Sequence, residues 1–175
     1  IGILAPHAGY RYSGSTAGFA FRAVKNERYD LVVVLSPSHD YHPAAILTTS
    51  HQMYETPLGT VAVDQKSLQA LRTKLEKDEI SIVSIPNDHE HALEIEIPFL
   101  QCCLQEGFSI LPLMIRQVEP KTAKRIACSI FDLVAAQKVL IVVSSDFSHF
   151  YPQEQALKFD RELLSRLVAF SVKDV

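Results

Sequence analysis

Leu31-Val32-Val33-Val34-Leu35 and Val139-Leu140-Ile141-Val142-Val143 carry no polar side chain at any position. Successive strand residues point to opposite faces, so a strand that is apolar throughout has to be covered on both sides. Further short runs rich in β-branched residues occur at 1–5, 45–47, 60–63, 80–85 and 110–115. Between them lie stretches with helical spacing. Asp64 precedes a stripe of Leu68, Leu71 and Leu75; Pro120 opens one of Ala123, Ile126, Ile130 and Val134; Pro152 opens one of Ala156, Phe159, Leu163 and Leu167. This alternation predicts an α/β fold: a largely parallel or mixed central sheet with helices on both faces.

No repeat, low-complexity segment or Pro/Gly/Ser linker divides the 175 residues, so the expectation is a single domain, 1–175. A start at Ile1, already inside a strand-like run, suggests a fragment. The hydrophobic share of 47% suffices for a core without disulfide staples. A net charge of −3 and the absence of any lysine/arginine block exclude a polyanion-binding surface, so neither nucleic acid nor an anionic membrane is expected as a partner. No apolar run approaches the roughly 18–20 residues that span a bilayer, and no signal-peptide pattern is present, which together imply a cytoplasmic chain. Cys102, Cys103 and Cys128 lack metal-site spacing and read as reduced core fillers.

Three runs end alike. The first leads into Pro6-His7-Ala8-Gly9-Tyr10, the second into Ser36-Pro37-Ser38-His39-Asp40, and the last into Ser144-Ser145-Asp146-Phe147-Ser148-His149. In open parallel sheets the ligand crevice lies beyond the carboxyl ends of the strands, so His7, His39 and His149 are expected to converge there. A fourth segment, Asn87-Asp88-His89-Glu90-His91, opens a helix carrying Leu93, Ile97, Leu100 and Leu104. Asp88 and His91, three apart, share a helix face, although Asp88 serves equally as an N-cap. Pro98 within this helix has no N–H to donate and crowds the preceding turn, so a distortion is predicted around Glu94 to Pro98. Ser13-Gly14-Ser15-Thr16 reads as a helix N-terminus with capping hydroxyls, whose amides could hold an anion beside His7.

A strand-end histidine by itself is ordinarily a hydrogen-bonded structural residue; several at strand ends, with another on a helix start, point to a metal. Neutral imidazoles with a carboxylate and open positions suit iron that activates oxygen, and the same set with bound water suits zinc. Ser148 activated by a histidine and an aspartate is the weaker reading, because no GxSxG elbow surrounds it. Without a Walker A lysine or a GxGxxG after any strand, no nucleotide cofactor is expected.

Taken in order, "PHAGYRYSG", "SPSHD", "YETPLGTVAVD", "DHEHALEIEIPFLQ" and "SSDFSHF" resemble the Memo family, including members known as AmmeMemoRadiSam system protein B. The resemblance spans nearly the whole chain, and family members extend beyond both of its ends. It implies a fold similar to the LigB-like class III extradiol dioxygenases, which hold iron with two histidines and a glutamate. Position by position, His7 and His39 match the metal-binding histidines, and Asp88 and His91 match site residues on the central helix. Ser148 falls where animal members have a metal-site cysteine, and a hydroxyl is a poorer ligand than a thiolate. His149 matches the acid/base histidine of the extradiol enzymes.

Two function classes follow. One is a metal-dependent oxidoreductase with iron or copper on His7, His39 and Ser148 and with His91, His149 or Asp88 in proton transfer, acting on a small molecule. The other is a binding module or adaptor that holds a metal, peptide or anion in the same crevice without turnover. Fold similarity does not choose between them, and oligomeric state leaves no mark on the sequence.

Overall fold

The computed structural model describes residues 1–86 and 89–170. In chain order its elements are β1 (Gly2–Ala5), α1 (Tyr10–Arg22), β2 (Leu31–Pro37), β3 (Ile46–Thr49), β4 (Met53–Thr56), β5 (Gly59–Ala62), α2 (Gln65–Glu76), β6 (Ile82–Ile85), α3 (His91–Glu94), α4 (Glu96–Cys103), β7 (Ser109–Ile115), α5 (Pro120–Val134), β8 (Val139–Ser144) and α6 (Gln153–Val168). By packing the chain divides into two compact units, Ile1–Ser145 and Asp146–Val175.

The first unit is built on a six-stranded sheet of order β1-β8-β2-β7-β3-β6. Every neighbouring pair is parallel except β3–β7. The fully apolar runs lie inside this sheet, and their alternation sorts them between two cores. Val32, Val34, Leu140 and Val142 face Phe21 of α1 and Leu93, Ile97 and Leu100 of α3 and α4. Leu31, Val33 and Val139 face Leu68, Leu71 and Leu75 of α2 and Ile126, Ile130 and Val134 of α5. Covered strands and helices on both faces are what the apolar runs required. Asp64 caps α2 as expected, its carboxylate accepting from the Ser67 amide at 2.9 Å.

Several details differ from the sequence reading. Only 60–63 stood out as a strand in its region, yet it pairs with β4 in an antiparallel hairpin apart from the main sheet. The β4 strand alternates exposed and half-buried positions, so it lacks the apolar signature of the sheet strands. The turn at Pro57-Leu58 closes on Gly59, whose φ of 118° is open to glycine and rarely to other residues. Helix α1 begins at Tyr10, not after Ser13: the Gly9 carbonyl accepts from the amides of Tyr12 and Ser13, and the Ser13 hydroxyl donates to Ala8 O. Residues 13–16 are therefore helix interior, and their amides hold no anion. The polar surface of the first turns hid the start, because periodicity marks a helix only where it buries a stripe. Cys102 and Cys128 are exposed, so neither is a core filler, whereas the half-buried Cys103 does pack against the core. On α5 the buried stripe runs through Ile126, Ile130 and Val134, which turns Cys128 to the outer surface.

The distortion expected near Pro98 is present. The segment divides at Ile95, between α3 and α4: Ile95 still donates to His91 O at 3.0 Å, but the Glu94 carbonyl meets Pro98, which has no N–H. The Ile95 carbonyl accepts from the Tyr10 hydroxyl at 3.1 Å, which ties the break to the start of α1.

In the second unit α6 follows Pro152 and has no buried residue. Ser148 is tied to this helix: its amide and hydroxyl both donate to Asp160 Oδ1, at 3.0 and 2.7 Å, and the hydroxyl lies 3.3 Å from Ala156 O. No helix among the described residues is long and apolar enough to cross a membrane.

Candidate metal centre

Strand β8 lies between β1 and β2, with Ser144 beside Ala5 and Val143 beside Leu35. His7 follows the end of β1 and His39 the end of β2, so two chain segments far apart in sequence emerge on either side of Ser144. Adjacent strands are about 4.8 Å apart, which lets imidazoles two strands distant meet above the middle one. Their ring centroids are 5.4 Å apart. His91, the first residue of α3, completes the group at 5.8 Å from His7 and 4.7 Å from His39. One ring nitrogen from each of the three residues lies within 4.8 Å of the others. A tetrahedral metal with bonds of 2.0–2.1 Å needs donors about 3.3 Å apart, a closure within the reach of side-chain rotation. Three imidazoles are sound donors for zinc, copper or iron, so the residues present fit a divalent metal. His7 is buried, whereas the His39 and His91 side chains are 45% and 56% exposed, which leaves one side of the group open to solvent.

Glu90 organises the exposed half. As the N-cap of α3 it accepts from the Ala92 amide at 2.9 Å. It also takes the His39 amide on Oε2 at 2.6 Å and His39 Nδ1 on Oε1 at 2.8 Å, with His91 Nδ1 3.4 Å from the same oxygen. Burial pushes the Glu90 carboxyl up, but the His39 and Ala92 amides and the His39 ring together outweigh burial and hold it below the usual carboxylate range. An ionised carboxylate only accepts, so His39 carries a proton on Nδ1, which in the neutral ring leaves the free lone pair on Nε2. On the buried side, His7 Nδ1 lies 2.9 Å from Ser144 Oγ, which in turn lies 2.8 Å from Ala92 O and 2.7 Å from Glu96 Oε1. Glu96 is fully buried. A cavity of about 290 Å³ adjoins the group, lined by His91, Tyr10, Tyr54, Glu55, Glu94 and Pro98 among others. Burial, then the nearby charges of Glu96 and Glu94, raise the Tyr10 phenol above its ordinary value.

The structure thus brings together His7, His39 and His91. The last, expected as a proton carrier, lies here with the other two in a group that could hold a metal ion. Ser148 and His149 belong to the second unit, where Ser148 is bound to Asp160 and His149 Nδ1 lies 3.1 Å from Phe147 O. Asp88 lies outside the described residues. Ser144, Glu90 and Glu96 were not singled out beforehand. Glu96 carried a readable sign: it lies three residues after Leu93 and four before Leu100, on the buried stripe of its helix. Glu90 is an acid immediately before a helix that starts with histidine, and Ser144 is the hydroxyl that ends the apolar strand β8.

A family model described as Memo-like protein matches residues 1–175. A MEMO1 family protein of Aquifex aeolicus (strain VF5) is 35% identical over 179 residues, which cover 99% of this chain and 63% of the relative. Another, of Nitrosopumilus maritimus (strain SCM1), is 32% identical over 172 residues, 98% of this chain and 62% of the relative. A third, of Methanopyrus kandleri, is 31% identical over 171 residues, 96% of this chain and 60% of the relative. The chain spans about three fifths of the length of these curated relatives. Matched along its whole length by the family model, and by relatives that align across nearly all of it, the chain belongs to the Memo-like protein family.

Proposed function

We propose that the chain carries the metal site of a metal-dependent oxidoreductase acting on a small molecule. One observation carries this reading: three imidazoles from separate segments meet beside a cavity, with His39 and His91 open to solvent and Glu90 fixing the ring of His39. His7, His39 and His91 would hold the ion through ring nitrogens. An iron or copper ion bound there would supply oxygen activation. The protein's part is to orient the donors and to offer the cavity beside His91 as the place where a small molecule rests. From the family resemblance, Asp88 and His149 remain proposed for proton transfer and Ser148 for the metal shell. Metal analysis of protein purified without oxygen, followed by oxygen uptake with candidate small molecules, tests the reading. Stoichiometric iron or copper with substrate-dependent oxygen consumption is expected, and metal-free protein with unoccupied histidines after reconstitution would sink it.

A second reading has its own observation. Among the described residues the gathered donors are all imidazoles, a set that serves zinc, which has no redox chemistry. A binding module or adaptor would then use the same crevice to hold a metal with a peptide or anion. Tight zinc binding with no oxygen uptake under any condition would favour it.

A further inference from the structure

We propose that Ser144 is a positioning residue for His7, fixing its proton on Nδ1 so that Nε2 alone faces the metal position; this rests on the reading of His7 as a ligand. A serine hydroxyl owns one hydrogen and two lone pairs. Ser144 Oγ has an oxygen acceptor at 2.8 Å, the Ala92 carbonyl, and a carboxyl oxygen of Glu96 at 2.7 Å. Ala92 O can only accept. If Glu96 is ionised, it too only accepts, and the serine hydrogen lies toward one of these two oxygens. If Glu96 is protonated, it donates to Ser144, and the serine hydrogen goes to Ala92 O. In neither state does that hydrogen point at His7. Turning it toward the ring would leave oxygen lone pairs facing each other across 2.8 Å in a buried place, where an unmade hydrogen bond is costly. His7 Nδ1, 2.9 Å away, is therefore the donor, and Ser144 accepts.

The placement follows from the fold. Ser144 ends the strand between those that deliver His7 and His39, while Ala92 and Glu96 lie one helical turn apart on the segment that also carries Glu90 and His91. One helical segment thus fixes the ring of His39 directly through Glu90, and that of His7 through a serine. Glu96 is fully buried and meets Ser144 through Oε1, so in either protonation state it helps to hold the serine hydroxyl in place. Oriented histidines of this kind lose about 10–100-fold in metal affinity when their supporting partner is removed.

Ser144→Thr and Ser144→Val test the assignment, because both add a methyl group at the same buried point and differ only in the hydroxyl. Long-range proton–nitrogen correlation spectra of the metal-free full chain, above the imidazole titration range, report which nitrogen of His7 is protonated; His7→Gln identifies its signals. Wild type and Ser144→Thr are expected to show Nδ1–H, and Ser144→Val a shift toward Nε2–H. Zinc titration should give similar affinities for wild type and Ser144→Thr, and a loss of about 10–100-fold for Ser144→Val. Should Ser144→Val not fold, Ser144→Ala takes its place. An Nε2–H form in the wild type, or an unchanged Nδ1–H form without the hydroxyl, overturns the proposal. A wild type that binds no metal but shows the expected Nδ1–H and its loss refutes the metal reading and leaves the positioning of His7 standing.

Discussion

Glu90 holds His39 at two points: Oε2 accepts the backbone amide at 2.6 Å, and Oε1 meets ring Nδ1 at 2.8 Å. The loop after β2 and the start of α3 are thereby locked to one carboxylate, which also caps the helix through Ala92. A ring fixed in this way presents its other nitrogen at no further entropic cost. Glu90→Gln puts an amide donor or a weaker acceptor against His39 Nδ1. Zinc affinity, followed by titration calorimetry, should fall about 10–100-fold.

His91 separates a triad from a pair. If all three imidazoles bind the ion, His91→Ala should cost as much affinity as His39→Ala, whereas a proton carrier outside the coordination shell would leave affinity near wild type and lower turnover alone. Comparable losses in a metal competition assay are expected.

Ser148→Cys addresses the remaining candidate ligand. The serine's bonds to Asp160 weaken on substitution, at a stability cost of about 1 kcal/mol, visible as a lower melting temperature. If residue 148 joins the metal shell, the thiolate should raise zinc affinity, and His7→Ala in that background should cancel the gain. Unchanged affinity in the single variant removes Ser148 from the ligand set.

Tyr29 is 2% exposed, and its hydroxyl has no hydrogen-bond partner among the described residues. Burial, then Glu27, raise its phenol, while Lys138 opposes them. The folded state therefore keeps a proton that the unfolded chain gives up near its ordinary value of about 10. The contribution is complete below that pH and is lost as pH rises through the folded value. Tyr29→Phe should stabilise the fold by about 1 kcal/mol near neutral pH and flatten the alkaline fall in stability, as measured by urea denaturation from neutral to alkaline pH.

Asp64→Ala removes the cap of α2, where the carboxylate accepts from both the amide and the hydroxyl of Ser67. A loss of about 0.5–2 kcal/mol is expected in chemical denaturation, with zinc affinity unchanged.

The sequence by itself determined the covered sheet, because residues apolar on both faces of a strand have no other stable setting. It also determined the break before Pro98, because a residue without an N–H leaves Glu94 O unsatisfied in any helix, and the delivery of His7 and His39 at strand ends. Hydrophobic periodicity is local and survives in one dimension. Strand order is not local: only the tertiary structure decided that β8 lies between β1 and β2, and hence that Ser144 stands beneath two histidines separated by 31 residues. The same holds for Glu90 and Glu96, whose roles depend on which donors the folded chain brings within 3 Å. The antiparallel β3 and the β4–β5 hairpin were likewise settled by pairing partners that no run of side chains announces. Side-chain pattern fixes which face is buried, whereas hydrogen-bond partners are fixed only when distant segments meet.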